Sequence, residues 1–491
     1  MPAGACPVIV AGIDLGTSGI KVALVDEGGT CVASASRPSP VDAPHPGWSQ
    51  QHPDQWVRLT FEILDELATD HGPLMARLRA VSLSGHMLGQ VLLDTSDSPT
   101  TPCILWNDQR STAECAELLE RVPDIGWRTN GQPDPGLTAP KLLWLAKHEP
   151  DALRTADTLM LPKDYVRLHL TGERATEVTD ASGTMLLDCA SSSWDDQLLA
   201  VVGWDRTRLP PLLKSCDYAG QLRSELCARW GTPNTVMFAA GSGDNYAGAL
   251  GVGAAVPGRA ALSIGTSGVL SAVDGSFHPA PDKAILTTPH AVDGTFLSMG
   301  VVMAATQALD WLARLTGTPA GELAGLAAQL TPHEIERCPV SRASITGVRT
   351  PDNRPDASGF IGGLRGGHSK AELAYSIMEG VAMQFLAAYR AQRASKVPIA
   401  SIQAVGGGTR SVFWTGLIAT LLETTLAVPR QGELAACLGA ARMAAAALDP
   451  TNTKSILGAV PVSTRKIEPN RVLHEALHDR FEMHLRLPFA T

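Results

Sequence analysis

Val8-Ile-Val-Ala-Gly-Ile-Asp-Leu-Gly-Thr-Ser-Gly-Ile-Lys-Val-Ala-Leu-Val-Asp26 reads as two apolar runs joined by a glycine-hydroxyl turn. Short runs of this kind, rich in β-branched residues and split by turn formers, predict two strands and a tight loop. A related pattern returns in the second half, where Ala260-Ala-Leu-Ser-Ile264 leads through Gly265-Thr-Ser-Gly268 into Val269-Leu-Ser-Ala-Val273. Such an internal echo predicts two related lobes, 1–240 and 241–491, whose hairpins face each other across a cleft.

Between the hairpins, helical periods alternate with apolar strands. Pro53 to Ala68 and Ala139 to His148 read as helices, and Ala80 to Ser84 as a strand. The second half continues with helices near Val302 to Thr316 and Ala371 to Gln392, a strand at Ser401 to Val405 and a helix at Ser411 to Leu422. This is an α/β pattern of mixed sheets flanked by helices. The apolar stretch Phe296 to Leu312 is broken by Thr306, Gln307 and Asp310, so it reads as a buried amphipathic helix and not a membrane span.

With 491 residues the chain exceeds what one core usually holds, and 44% hydrophobic with 18% charged residues is an ordinary globular balance. The formal net charge of −9, without a long Lys/Arg run, argues against nucleic acid as a partner. Nine scattered cysteines, Cys6 among them, form no Cys-x-x-Cys pair, which fits a reducing compartment and no zinc site. Met1 to Ala11 lacks a basic region followed by an apolar one, so a cytoplasmic protein is expected.

A loop of glycines and small hydroxyl residues suits phosphate, because the backbone approaches closely while amides and hydroxyls donate to oxygens. One such loop is usually only a turn; two, one in each half, point to a shared phosphate ligand. Asp14, just before the first loop, reads either as a turn-capping carboxylate or as a group holding Mg²⁺ through water. A third loop, Val405-Gly-Gly-Gly-Thr-Arg-Ser411, follows a strand and opens a helix, so it reads either as a turn with Ser411 as helix cap or as a rest for adenosine. No G-x-G-x-x-G, G-x-x-x-x-G-K-[ST] or G-x-S-x-G occurs, so dinucleotide, P-loop and hydrolase readings lose their anchor.

Thr235-Val-Met-Phe-Ala-Ala240 reads as a strand, followed by Gly-Ser-Gly-Asp-Asn245 and a small-residue helix, Tyr246 to Gly253. A carboxylate at the carboxyl edge of a sheet is where open α/β folds bind ligands. Asp244 is therefore the candidate general base of a phosphoryl transfer, the competing reading being a cap of the following helix.

Gly12-Ile-Asp-Leu-Gly-Thr-Ser-Gly19, Gly241-Ser-Gly-Asp-Asn245, Ser263-Ile-Gly-Thr-Ser-Gly268 and Gly359-Phe-Ile-Gly-Gly-Leu364 with Glu372 to Gly380 together resemble the FGGY family of carbohydrate kinases. Pro44 to Trp48, Pro102 to Arg110, Leu137 to Trp144 and Leu161 to Tyr165 resemble the members that act on xylulose. The resemblance covers nearly the whole chain. It implies the two-lobed actin-like ATPase (ribonuclease H-like) α/β fold, and conversion of D-xylulose to D-xylulose 5-phosphate with ATP and Mg²⁺ by direct in-line transfer. By it, Asp14 organises the metal, while Thr17, Ser18, Lys21, Gly265 and Thr266 serve the phosphates. Gly407, Gly408 and Arg410 border the adenosine. Asp244 is the base, and His86, Met87, Leu88, Trp106 and Asn245 join it around the sugar. Ala435 to Ala447 is implied as a hinge helix packed against Ala247 to Gly253, or else as a tightly packed core helix, and a cytoplasmic homodimer is expected.

Two positions depart from the family pattern. His86-Met-Leu-Gly89 stands where Gln-Met-His-Gly is usual, so an imidazole is replaced by Leu88, with His86 the nearest substitute. Thr346-Gly-Val-Arg-Thr-Pro-Asp352 stands where Ser-Gly-Glu-Arg-Thr-Pro-His is common. The alternatives are a kinase of the same family for another ketose, polyol or sugar acid, and a non-catalytic actin-like nucleotide-binding protein.

Overall fold

The computed structural model describes residues 8–488, so Cys6 and the first residues of the chain lie outside the described part. The chain divides into two compact units. The first holds the chain through Ala255, together with Thr287–Phe296 and Leu434–Ala459; the second holds Val256–Leu286, Leu297–Glu433 and the chain from Val460. The first contiguous stretch thus continues past residue 240, because the helix after Asp244 packs within it.

The first unit is built on a mixed seven-stranded sheet. Its centre is the opening hairpin: β1 (Ile9–Gly16) runs antiparallel to β2 (Gly19–Asp26), and β2 to β3 (Cys31–Pro38). On the other side β1 lies parallel to β4 (Leu78–Gly85). Beyond β4 come β5 (Tyr218–Gln221) and β6 (Met237–Ala239), and the two-residue β7 (Ser242–Gly243) extends the pairing along β4.

β1 is apolar on both faces because both are covered. Ile9, Ala11, Ile13 and Leu15 join one core with Trp56, Ile63 and Leu67 of α1 (Pro53–Asp70). Proline at the first turn and a His52 side chain accepting from the Asp54 amide start that helix. Each fully buried large side chain on its inner face contributes about 1.5–3 kcal/mol, which outweighs the few tenths lost to its β-branched residues.

The opposite face of β1 carries Val10, which packs with Cys437, Leu438, Ala441 and Ala444 from far along the chain. Those residues belong to α9 (Ala435–Leu448), whose small side chains let backbones touch. A Cβ on Gly12 would lie 1.9 Å from the Cys437 carbonyl oxygen, and one on Gly439 would lie 1.8 Å from that of Ala247. α9 also packs along α5 (Asp244–Gly251), as expected for the Ala435 to Ala447 helix.

The second unit repeats the plan. β8 (Gly258–Ile264) and β9 (Gly268–Asp274) form an antiparallel hairpin, and β8 lies parallel to β11 (Ile399–Val405), itself parallel to β12 (Leu426–Pro429) and then antiparallel to β13 (Ser463–Ile467). On the far side of β9 comes β10 (Phe296–Val302). Its flanking helices include α6 (Thr306–Thr316), α7 (Lys370–Ala394), α8 (Val412–Leu421) and α10 (Arg471–Arg486). The echo between the Gly-Thr-Ser-Gly motifs is therefore topological as well as sequential.

One reading is corrected. Phe296 to Leu312 is not a single helix: Phe296–Val302 is a sheet strand, and the helix starts at Thr306. The Val301-Val302 pair suits a pleated, buried position, and the amides of Ala305 and Thr306 turn to the carbonyls of Thr266 and Gly265. Among the described residues no helix is long and apolar enough to cross a membrane.

Candidate active site

In the first unit, the carboxyl edges of β1 and β4 and the bend after β6 place several candidates together. Asp14 stands opposite Lys21 on β2 and opposite Ser84 on β4. The Ser84 hydroxyl donates to Asp14 Oδ1 at 3.0 Å. Burial raises the Asp14 pKa, against the Ser84 hydrogen bond and the Lys21 charge, which lower it.

Asp244 opens α5, with Gly243 in the cap position. It is thus the first helical residue and not the cap, and its Oδ1 accepts from the Asn245 amide at 2.8 Å and from Asn245 Nδ2 at 3.2 Å. The carboxyl keeps part of its surface open, yet protein surrounds it closely enough that desolvation, followed by the negative charge of Asp14, pushes its pKa up to about 7. Two carboxylates with raised pKa, Asp14 held by a hydroxyl and its charge raising Asp244, both partly open, form a donor set that a divalent cation would relieve. Mg²⁺ characteristically takes one or two carboxylates and keeps several waters, so Asp14 fits such an ion.

The backbone before Asp244 is bent sharply. Gly241 has φ +90°, and a Cβ there would lie 2.2 Å from the Leu83 carbonyl oxygen. Only glycine meets both demands.

Thr17 and Ser18 cap the first hairpin, where Gly16 pairs Gly19. Thr17 is half-buried and Ser18 is exposed. Trp106 Nε1 donates to the Thr17 hydroxyl at 3.0 Å, so the structure joins a candidate sugar residue to a candidate phosphate residue. The Trp106 loop rests on a buried pair: Arg110 Nη2 lies 2.8 Å from Asp108 Oδ2, and the guanidinium sits 3.6 Å over the Trp48 ring. The separate motifs Pro44 to Trp48 and Pro102 to Arg110 are thereby one built object.

His86, Met87 and Leu88 follow β4. His86 is 1% exposed, packs edge-on against Trp56, and among the described residues neither ring nitrogen has a hydrogen-bond partner. Burial, then the Lys141 charge, lowers its pKa to about 3, so it is neutral. Met87 lines the space above Gly243, where a Cβ would meet its Cγ at 2.6 Å. Leu88 adopts φ +75°, unusual for a branched side chain. Its carbonyl accepts from Thr138 Oγ1 and Lys141 Nζ, at 2.9 and 3.1 Å, and Gly183 leaves room for its side chain.

The second unit holds the remaining candidates. Thr266 is exposed at the tip of its hairpin, and the Gly265 amide donates across the turn to Ser267 O at 3.0 Å. In the third loop a Cβ on Gly406 (φ +94°) or Gly408 would strike Ile264, whereas Gly407 faces open space and Arg410 is exposed. Two of the three glycines are explained by packing, and the third faces open space. Ser411 caps α8, its side chain accepting from the Trp414 amide, so the capping reading of that residue holds.

Sequence reasoning assigned no role to a buried ionic cluster behind Asp244. Lys163, on α3 (Pro162–Thr171), lies 2.8 Å from Asp164, 3.3 Å from Glu177 and 3.2 Å from Asp180 on α4 (Val178–Ser182); Arg167 pairs Asp164 at 2.9 Å. All five side chains are fully buried. The available signal was Lys-Asp inside the apolar run Leu159 to Leu170, where charges are costly unless paired.

Comparison with known proteins places this geometry. The models of the FGGY family of carbohydrate kinases match as N-terminal domain over residues 9–251 and C-terminal domain over 260–448. A xylulose kinase of Escherichia coli (strain K12) is 39% identical over 451 residues, 92% of each chain, and one of Bacillus subtilis (strain 168) is 32% identical over 89% of this chain and 87% of its own. A crystal structure of a protein called a xyloylose kinase, from Brucella ovis, superposes with TM-score 0.94 at 37% identity over 97% of this chain and 98% of its own. A gluconate kinase from Lactobacillus acidophilus shares the fold with TM-score 0.90 at 24% identity, over 98% of this chain and 97% of its own. The fold is the actin-like ATPase fold that the motifs implied. With both halves of the pattern matched and relatives this similar along nearly their full length, the chain belongs to the FGGY family of carbohydrate kinases.

Proposed function

We propose that this sugar kinase transfers the γ-phosphoryl group of Mg·ATP to the 5-hydroxyl of D-xylulose, with Asp244 as general base. The observation that carries the reading is Asp244 itself: a carboxyl at a sheet edge, beside Asp14, with its pKa raised to about 7. A base poised near the working pH takes a hydroxyl proton most effectively. In the step, the sugar oxygen forms the new O–P bond, the bond from γ-phosphorus to the bridging oxygen breaks, ADP leaves, and the hydroxyl proton passes to Asp244.

In this reading Asp14 holds the Mg²⁺, which neutralises charge developing on the phosphates, and Thr17, Ser18, Lys21, Gly265 and Thr266 meet the phosphate oxygens. Gly407, Gly408 and Arg410 border the adenosine, the first unit carrying the sugar site and the second the nucleotide site. Xylulose is favoured over other sugars by relatives called xylulose kinases at 32–39% identity.

A second substrate is favoured by one observation. Leu88 offers no polar atom from its side chain where the family pattern has an imidazole, and a pocket lacking one partner loses discrimination by roughly 10²-fold or more. Coupled ADP release measured across xylulose, ribulose, pentitols and gluconate decides between the two. Highest kcat/KM on a polyol or an aldonate overturns xylulose and keeps the kinase. Asp244→Asn should lower kcat by roughly 10²- to 10⁴-fold while ATP still binds, and wild-type turnover in that variant removes the base. A cytoplasmic homodimer belongs to the same proposal, with sedimentation as its test.

A further inference from the structure

We propose that Thr179, oriented by Glu177, is a positioning residue that fixes the Gly243 peptide and thereby the placement of Asp244. The inference rests on the reading of Asp244 as base.

The segment leading to Asp244 is held by Arg167 of the buried cluster and by its neighbours Ser215 and Thr179. The Ala240 carbonyl accepts from Arg167 Nη1 at 2.7 Å. The Gly241 amide donates to the Ser215 carbonyl at 2.9 Å, and the Gly243 amide donates to Thr179 Oγ1 at 3.2 Å. Ser242 and Gly243 also pair Ser84 and Gly85 of β4. The bend is thus pinned at both ends, and Thr179 makes the last contact before the carboxylate.

A hydroxyl has one proton, so what it accepts depends on where that proton goes. Thr179 Oγ1 donates to Glu177 Oε1 at 3.1 Å, which leaves its lone pairs for the Gly243 amide. Glu177 is itself fixed by the amides of Thr179 and Asp180 at 2.7 and 3.0 Å, by the Ser215 hydroxyl at 3.2 Å and by Lys163. Glu177 therefore sets the polarity of the relay, and Lys163 Nζ lies 3.3 Å from its Oε1.

Charges in a core are rarely the most stabilising choice, since well-packed apolar residues of similar volume often serve as well or better. Their worth is in fixing one geometry, and the groups fixed here are the peptides that aim Asp244. Burial pushes the Asp180 pKa up to about 8, against the Lys163 charge beside it, which lowers it.

The test uses the full chain with Thr179→Val and Thr179→Ser, assayed well below the unfolding midpoint, with KM for both substrates and ATP affinity measured separately. Thr179→Val keeps the shape and removes the acceptor, so kcat should fall roughly 10- to 100-fold with ATP affinity unchanged, the loss expected of a small misplacement. Thr179→Ser should restore most of it. A folded Thr179→Val with wild-type kcat overturns the proposal, and so does an equal loss in Thr179→Ser. Should Thr179→Val fail to fold, Ser215→Ala removes one donor to Glu177 and leaves the backbone carbonyl in place. A smaller kcat loss with unchanged ATP affinity then supports the relay, and wild-type kcat overturns it. Asp244→Asn separates the two readings: an inactive Asp244→Asn beside a wild-type Thr179→Val removes only the positioning role, whereas an active Asp244→Asn removes the base.

Discussion

Ser84 Oγ donates to Asp14 Oδ1 across the parallel pairing of β4 with β1, at 3.0 Å. This bond opposes the burial that raises the Asp14 pKa. Ser84→Ala should therefore leave Asp14 more often protonated and a poorer ligand for a cation. The expected outcome is a higher Mg²⁺ concentration for half-maximal activity, by several-fold, with the sugar KM little changed. An unaltered Mg²⁺ titration would detach Asp14 from the metal.

Asp244 should govern the acidic limb of kcat/KM. With its carboxyl pKa near 7 in the free protein, activity should fall about tenfold per pH unit below that value. Removing the neighbouring charge with Asp14→Asn lowers the Asp244 pKa, so the limb of any residual activity should move to lower pH.

Stability gives Asp244 a second readout. Its folded pKa lies above the usual carboxylate value, so between about pH 4 and 7 the unfolded chain has released a proton that the folded chain retains, and stability falls as pH rises. Asp244→Asn removes that loss. Its melting temperature relative to the wild type should therefore increase from pH 4 to pH 7.5, a trend opposite to its effect on turnover.

His86 carries the reverse sign. Its folded pKa of about 3 lies below the ordinary histidine value, so the unfolded chain binds a proton below pH 6.5 that the folded chain refuses. This group costs up to about 1.4 kcal/mol per pH unit on acidification, and His86→Gln should flatten that part of the denaturation profile between pH 6.5 and 4. Parallel profiles would show that the imidazole is protonated in the fold.

Leu88→His replaces a branched side chain at φ +75° with one that tolerates that backbone better, and gives the proposed sugar site a polar partner. Thermal stability should hold or rise, and the xylulose KM should fall. A lower KM for a different sugar only would identify this position as the device that separates this chain from its relatives.

The hairpins were legible because their apolar runs and Gly-Thr-Ser-Gly turns are local, and β1, β2, β8 and β9 each lie within a few residues of expectation. Asp244 was legible from its place after a strand, though not as the first residue of its helix, since glycine at the cap leaves no side-chain signature. The Phe296 to Val302 strand was missed because a short apolar run beside a helix carries no period of its own. The Lys163 and Glu177 cluster was missed for another reason. Its members come from α3, α4 and the residue before α4, and only the tertiary fold tells a buried charge from a solvated one.

α9 has a consequence for biogenesis. The Cys437 thiol reaches the Lys21 carbonyl over 416 residues of chain, and one face of β1 waits for that helix. During synthesis the opening sheet must remain with Val10 and Ala80 uncovered until nearly the whole polypeptide has left the ribosome, and contacts so distant in sequence close slowly. A nascent chain halted before Leu434 presents a sticky, unfinished surface, which makes the N-terminal half a natural client for chaperones and a poor candidate for expression alone.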